Sequence, residues 1–220
     1  MIDPSPTIAE RPALPTLGNV ASALPDLLLS AFCLTAWVAP ERLAPDAVNW
    51  ILLTMLLEFI VMHSAAFMGL QLIATGDRGK RALSVLGLGL FYSIFAGGFA
   101  AAFHSWWPLV SFWLLTLNRL TGVLFKQSPG GEERAFLQAG WAASGVSYLL
   151  GAGLTIFLPL PRLGLTRAVV DGLHLTGSGL WISEPWRVVA FGAIYFAAMG
   201  AFEWTGFRSL RARMVTSAVR

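Results

Sequence analysis

Residues 49–74 read NWILLTMLLEFIVMHSAAFMGLQLIA, and the reading of this stretch decides the fold. Its only ionisable side chains are Glu58 and His63. A bilayer core of about 30 Å takes roughly 20 apolar residues as helix. The stretch is therefore a transmembrane span that carries a carboxyl group and an imidazole inside it, residues that a lipid-facing surface excludes.

Five further stretches have the same length and character: Val20–Val38, Ala82–His104, Trp107–Phe125, Ala135–Leu158 and Trp186–Phe207. Together they predict an all-α, polytopic membrane protein, a bundle of about six transmembrane helices. Composition agrees. The chain of 220 residues is 56% hydrophobic and 12% charged, against about 25% charged in a soluble domain. Residues 1–19 hold four prolines and no apolar run, so a disordered or surface-lying tail is expected there, and residues 208–220 form a basic tail. The span near Val20 contains Pro25 and Asp26 and is expected to be short, kinked or partly re-entrant. The turn His104–Pro108 joins its two neighbours tightly and makes them antiparallel. Cys33 is the sole cysteine, which rules out an internal disulfide.

Six spans divide the cationic residues outside the spans ten to four, with both termini on the richer side. The positive-inside rule then makes both termini cytoplasmic, in a plasma membrane of the bacterial inner-membrane type. Tryptophans gather at the opposite boundary, as an aromatic belt does. Two stripes of small residues, Gly89/Ser93/Gly97/Ala101 and Ala193/Ala197/Ala201, predict close helix approach. No internal repeat of the transporter kind is visible.

Depth follows from counting helical residues at about 1.5 Å each: Glu58 lies roughly 15 Å from the outer boundary and Arg119 roughly 18 Å. All three tyrosines, Tyr92, Tyr148 and Tyr195, fall near mid-membrane, although tyrosine ordinarily prefers the interface. With Thr54 and Asn118 they predict a polar layer, and the matched depths predict an ion pair between Glu58 and Arg119. Such a layer could fix helix register, or it could form a pocket for a small solute, an ion or a lipid head group. Glu58 and His63 stand about 140° apart around one helix, so they do not form a dyad.

Other chemistry finds little support. His63 is too deep to share an iron with His104 or His174, and those two alone make a weak metal site. No H-E-x-x-H, C-x-x-C-H, P-loop or G-x-S-x-G pattern occurs. No catalytic residue, cofactor or metal is assigned, and no nucleic-acid partner is expected. In the outer loop Pro161–Pro185, LHLTGSGLWI could form a hairpin about residues 176–179, or residues 166–175 a short helix capped by Thr166. His174, Gly177 and Gly179 of this loop are the expected lid over a pocket. Two function classes follow: a small-solute or lipid transporter or binding protein, and a non-catalytic subunit packing on itself or in a larger membrane complex. An intramembrane enzyme without a recognisable motif is the third.

Overall fold

The computed structural model describes residues 16–74, 76–125, 130–175 and 178–206. Six long helices make the bundle: α1 (Leu17–Val38), α2 (Ala47–Ile73), α3 (Arg78–Ala102), α4 (Trp107–Phe125), α5 (Gly131–Phe157) and α8 (Pro185–Trp204). Two short ones, α6 (Arg167–Gly172) and α7 (Leu180–Ser183), lie between α5 and α8. No strand occurs among the described residues. The hairpin reading of the loop is therefore replaced by the helical one, with Thr166 at the N-cap of α6. Gly177 lies outside the described residues.

Five of the long helices are long and apolar enough to cross a membrane. The exception is α4, whose 19 residues are long enough at about 28 Å. Asn118 and Arg119 lower its hydropathy. It packs along α3 from the tight turn between them. Large apolar side chains face outward along the helices, with Leu83, Leu90 and Ile94 of α3 each more than 60% exposed. That much outward apolar surface exceeds what a water-soluble monomer tolerates. The chain is an all-helical, multi-pass membrane protein.

Two helices occupy the centre. Two-thirds of the apolar window of α8 is buried, and half of that of α2, against about a fifth for α1, α3 and α5. α8 packs against α1, α5 and α2, while the α3–α4 hairpin lies on the other side of α2. The core is accordingly double. One cluster joins Cys33, Met55, Tyr148, Phe191 and Tyr195, and the other joins Ile60, Met68, Val85, Phe112 and Val123.

Small residues permit these approaches, only partly in the register of the predicted stripes, of which Gly89 and Ala193 are buried. On α3 the buried set is Ala82, Val85, Gly89, Ala96 and Ala100, and a Cβ on Gly89 would press on Thr116 and Trp113 of α4. Ala197 and Ala201 of α8 are exposed. The close contacts to α1 come instead from Gly192 against Cys33 and Gly200 against Leu27. α1 is one continuous helix despite Pro25, started by the Thr16 hydroxyl accepting from the Asn19 amide at 3.2 Å.

The loop after α5 is tied down. Gly164 donates its amide to Trp37 carbonyl, and Trp37 Nε1 donates to Pro161 carbonyl at 2.9 Å. Leu165 is fully buried, and α6 and α7 add Val169, Val170, Trp181 and Ile182 to the first core cluster.

Candidate functional site

Glu58 lies on the side of α2 that meets α8. Its Oε1 accepts from the Tyr195 hydroxyl at 2.6 Å, within the short range typical of hydroxyl–carboxylate bonds. Tyr195 is buried, and its ring meets Tyr148 edge-on at 5.4 Å between centroids. The Tyr148 hydroxyl donates to Met55 carbonyl at 2.8 Å, one turn from Glu58. Phe191 meets both tyrosines edge-on, at 4.7 and 6.0 Å between centroids. Two of the three mid-membrane tyrosines thus gather with Glu58.

Arg119 is elsewhere. Its Nη1 donates to Ser64 Oγ at 3.0 Å and approaches Met68 Sδ at 3.5 Å. No ion pair joins it to Glu58. Glu58 and Ser64 are six residues apart, which places them about 120° apart in azimuth and about 9 Å apart along the helix. Depth alone did not decide the pairing, because α2 presents Glu58 to α8 and Ser64 to α4. The expected single layer is two sites on two sides of one helix.

The remaining predicted members divide as well. Tyr92 packs with Phe91, Phe95 and Phe112 between α3 and α4, away from Glu58. Asn118 is exposed, with its carbonyl accepting from Thr121. Thr54 is half-buried on α2, a turn before Glu58. His63 is held within its own helix, Nδ1 at 2.9 Å from Phe59 carbonyl and its ring tilted against that of Phe59 at 4.1 Å between centroids. Sequence reading took Asp26 of α1 only as an interruption of its span and passed over Glu203 of α8; the two lie within Coulombic reach of each other, Asp26 reaching Glu58 also. An acidic residue inside a span was the available signal for Asp26.

A further cavity opens at the end of the bundle that carries the α3–α4 turn. Its volume is about 370 Å³, and it is lined by Asp46, Asn49, Trp50, Leu53, Ala102, Phe103, His104, Ser105, Trp107 and His174. Both histidines have left-handed backbones, φ 48° at His104 and 47° at His174. At His104 the cause is explicit. The His104 amide donates to Ala101 carbonyl and the Ser105 amide to Ala100 carbonyl, the paired bonds that close a helix through a left-handed residue usually filled by glycine. His174 also comes directly after a helix C-cap, Leu173 of α6, whose amide donates to Val170 carbonyl. A left-handed side-chain-bearing residue costs about 1–2 kcal/mol relative to its relaxed backbone. Gly179, the other described lid residue, has φ 112° and stands in open space.

No protein-family model and no solved structure matches the chain. One curated relative is similar in part, the intermembrane phospholipid transport system lipoprotein MlaA of Haemophilus influenzae. It is 35% identical over 86 residues, which is 37% of this chain and 34% of the relative. The chain therefore spans about a third of the length of the curated relative it matches.

Proposed function

We propose that this protein binds phospholipid within the membrane, as a carrier or accessory component of lipid movement, and holds the anionic head group at Arg119. One observation carries the reading. A guanidinium offers five N–H donors, and among the described residues Arg119 meets only a hydroxyl and a thioether, both through Nη1. A cation at membrane depth is costly without an anion, and a phosphate accepts from a guanidinium in bidentate fashion. Arg119 stands six residues before the end of α4, about 9 Å along the axis. That level suits a lipid phosphate drawn in from the nearer leaflet. The partial likeness to a lipoprotein named for phospholipid transport supports a lipid over a free solute. In this reading Glu58, Tyr195 and Tyr148 line the neighbouring side of α2, both termini face the cytoplasm of a bacterial inner membrane, and the loop bearing His174 and Gly179 covers the opposite mouth.

The test is lipid analysis of the protein purified in mild detergent. Wild type is expected to retain anionic phospholipid, Arg119→Lys to retain part of it, and Arg119→Met to lose most of it. Equal lipid content in wild type and Arg119→Met would remove the reading.

A second reading is a subunit of a larger membrane assembly. It is favoured by α3, where Gly87 and Gly98 face outward with open space where a side chain would stand. Replacing both with leucine would then shift the protein from a larger to a smaller species on native gels.

A further inference from the structure

The cavity lined by His104 and His174 is independent of Arg119, and the two histidines in it are costly. Each stands just past a helix end in a left-handed conformation. Glycine would hold either position with less strain. Two strained histidines from distant parts of the chain, 70 residues apart in sequence, line one cavity, and strain of this kind gathers at ligand clamps. The lining mixes imidazole, amide and carboxylate groups with indole faces and apolar side chains, a set suited to an organic ligand with a charged head. The volume of about 370 Å³ lies in the range of small-ligand sites.

We propose that this cavity is a head-group site for a zwitterionic phospholipid, in which His104, His174 and Asn49 donate to the phosphate while Asp46 and the indole faces of Trp50 and Trp107 take the amine. The inference rests on the lipid reading above and extends it to a second site. The lining has both halves of the required chemistry. Imidazole and amide N–H groups donate to phosphate oxygens, whereas a carboxylate and aromatic faces attract an ammonium group. Leu53, Ala102 and Phe103 supply the apolar wall that a glycerol backbone would touch. Trp50 and Trp107 are about half exposed, so the mouth is open to a lipid arriving from the membrane surface.

Glycine substitutions make the test clean, because they remove the imidazole while relieving the backbone. The probe is short-chain phosphatidylethanolamine below its micellar concentration, titrated by calorimetry into detergent-purified protein, with matched phosphatidic acid and inorganic phosphate as comparisons. Wild type is expected to bind phosphatidylethanolamine saturably and more tightly than either comparison. His104→Gly and His174→Gly should each weaken binding about tenfold, the loss of one hydrogen bond to a charged group, with melting temperature held or raised. His104→Asn, which tolerates the same backbone, serves should a glycine variant misfold. Asp46→Asn should abolish the preference for phosphatidylethanolamine over phosphatidic acid. Unchanged affinity in both histidine variants overturns the proposal. Inorganic phosphate binding as tightly as the lipid overturns it too, as a free-phosphate site. Binding lost in Arg119→Met but kept in the glycine variants places the lipid at Arg119 and overturns only this second site. Absence of retained lipid at Arg119, with the histidine effects present, removes the earlier reading and leaves this site standing.

Discussion

At Gly69 of α2, a single added carbon would fall inside the indole of Trp141 on α5. Here glycine permits contact between two helices, and the backbone conformation is incidental. Gly69→Ala is expected to destabilise the detergent-solubilised protein by about 1–3 kcal/mol, the usual cost of overfilling a packed site. Trp141→Leu should recover part of that loss, as read by thermal unfolding of the single and double variants. The polar residues give a second test at this scale. Glu58 is bonded to Tyr195 and Arg119 to Ser64, with no shared partner. The effects of Glu58→Gln and Arg119→Met on stability should therefore add, within about 0.5 kcal/mol. A double variant markedly more stable than the sum would mean that the two charges do meet. The sequence made both residues conspicuous through their depth. It could not reveal their directions, because azimuth depends on which neighbours α2 acquires on each side. The spacing of Ile60, Ser64 and Met68 at four residues was the visible hint that Ser64 faces a different helix from Glu58.

Two helices end against arginines, and neither ending relies on a glycine at the cap. Arg187 Nη1 donates to the carbonyls of Thr155, Ile156 and Leu158 at the end of α5, at 2.7 to 3.0 Å, and Arg187 also pairs with Glu184. Arg81 reaches back from α3 to the carbonyls of Gln71 and Ala74 at the end of α2. In both cases the cation satisfies terminal carbonyls and complements the negative end of the helix dipole. Arg187→Met is expected to cost about 2 kcal/mol, since bonds to charged groups contribute about 1.5–3 kcal/mol each and neighbouring water replaces part of them. Faster amide exchange confined to the last turn of α5 would localise the effect. Element boundaries were legible to within a few residues, because apolar runs and loop charges mark them directly. Of the two short helices in the 161–185 loop, α6 was legible only as one of two alternatives and α7 was not foreseen, since a turn rich in glycine and serine is compatible with either a hairpin or a helix start.

For the whole molecule, the number of crossings decides which face of the membrane each loop meets. With α4 crossing, a cysteine placed at Ser178 should react with an impermeant maleimide from outside, while tags at both termini stay protected until the membrane is opened. External labelling of a C-terminal tag would mean an odd number of crossings and remove α4 from the count. Fold class and all six long helices could be read from the apolar runs, Trp107–Phe125 included, although Asn118 and Arg119 dilute the signal of α4. The arrangement could not. Nothing in the apolar pattern of α8 distinguishes a central helix from a peripheral one, except that it is small or apolar on nearly every side, as a surrounded helix must be.

The pairing of α1 with α8 has a consequence for how the protein is made. Ser30 donates to Ala193 carbonyl, Asn19 to Trp204 carbonyl, and Gly192 and Gly200 accept Cys33 and Leu27. α1 has only weak contact with α2, its neighbour in the chain. During synthesis α1 emerges long before its main partner exists. It must wait in the lipid, with Asp26 exposed beside Pro25, while four other long helices are inserted. The growing chain is therefore open along the α1 side until α8 arrives, and closure of the bundle there waits on a partner made more than 140 residues later.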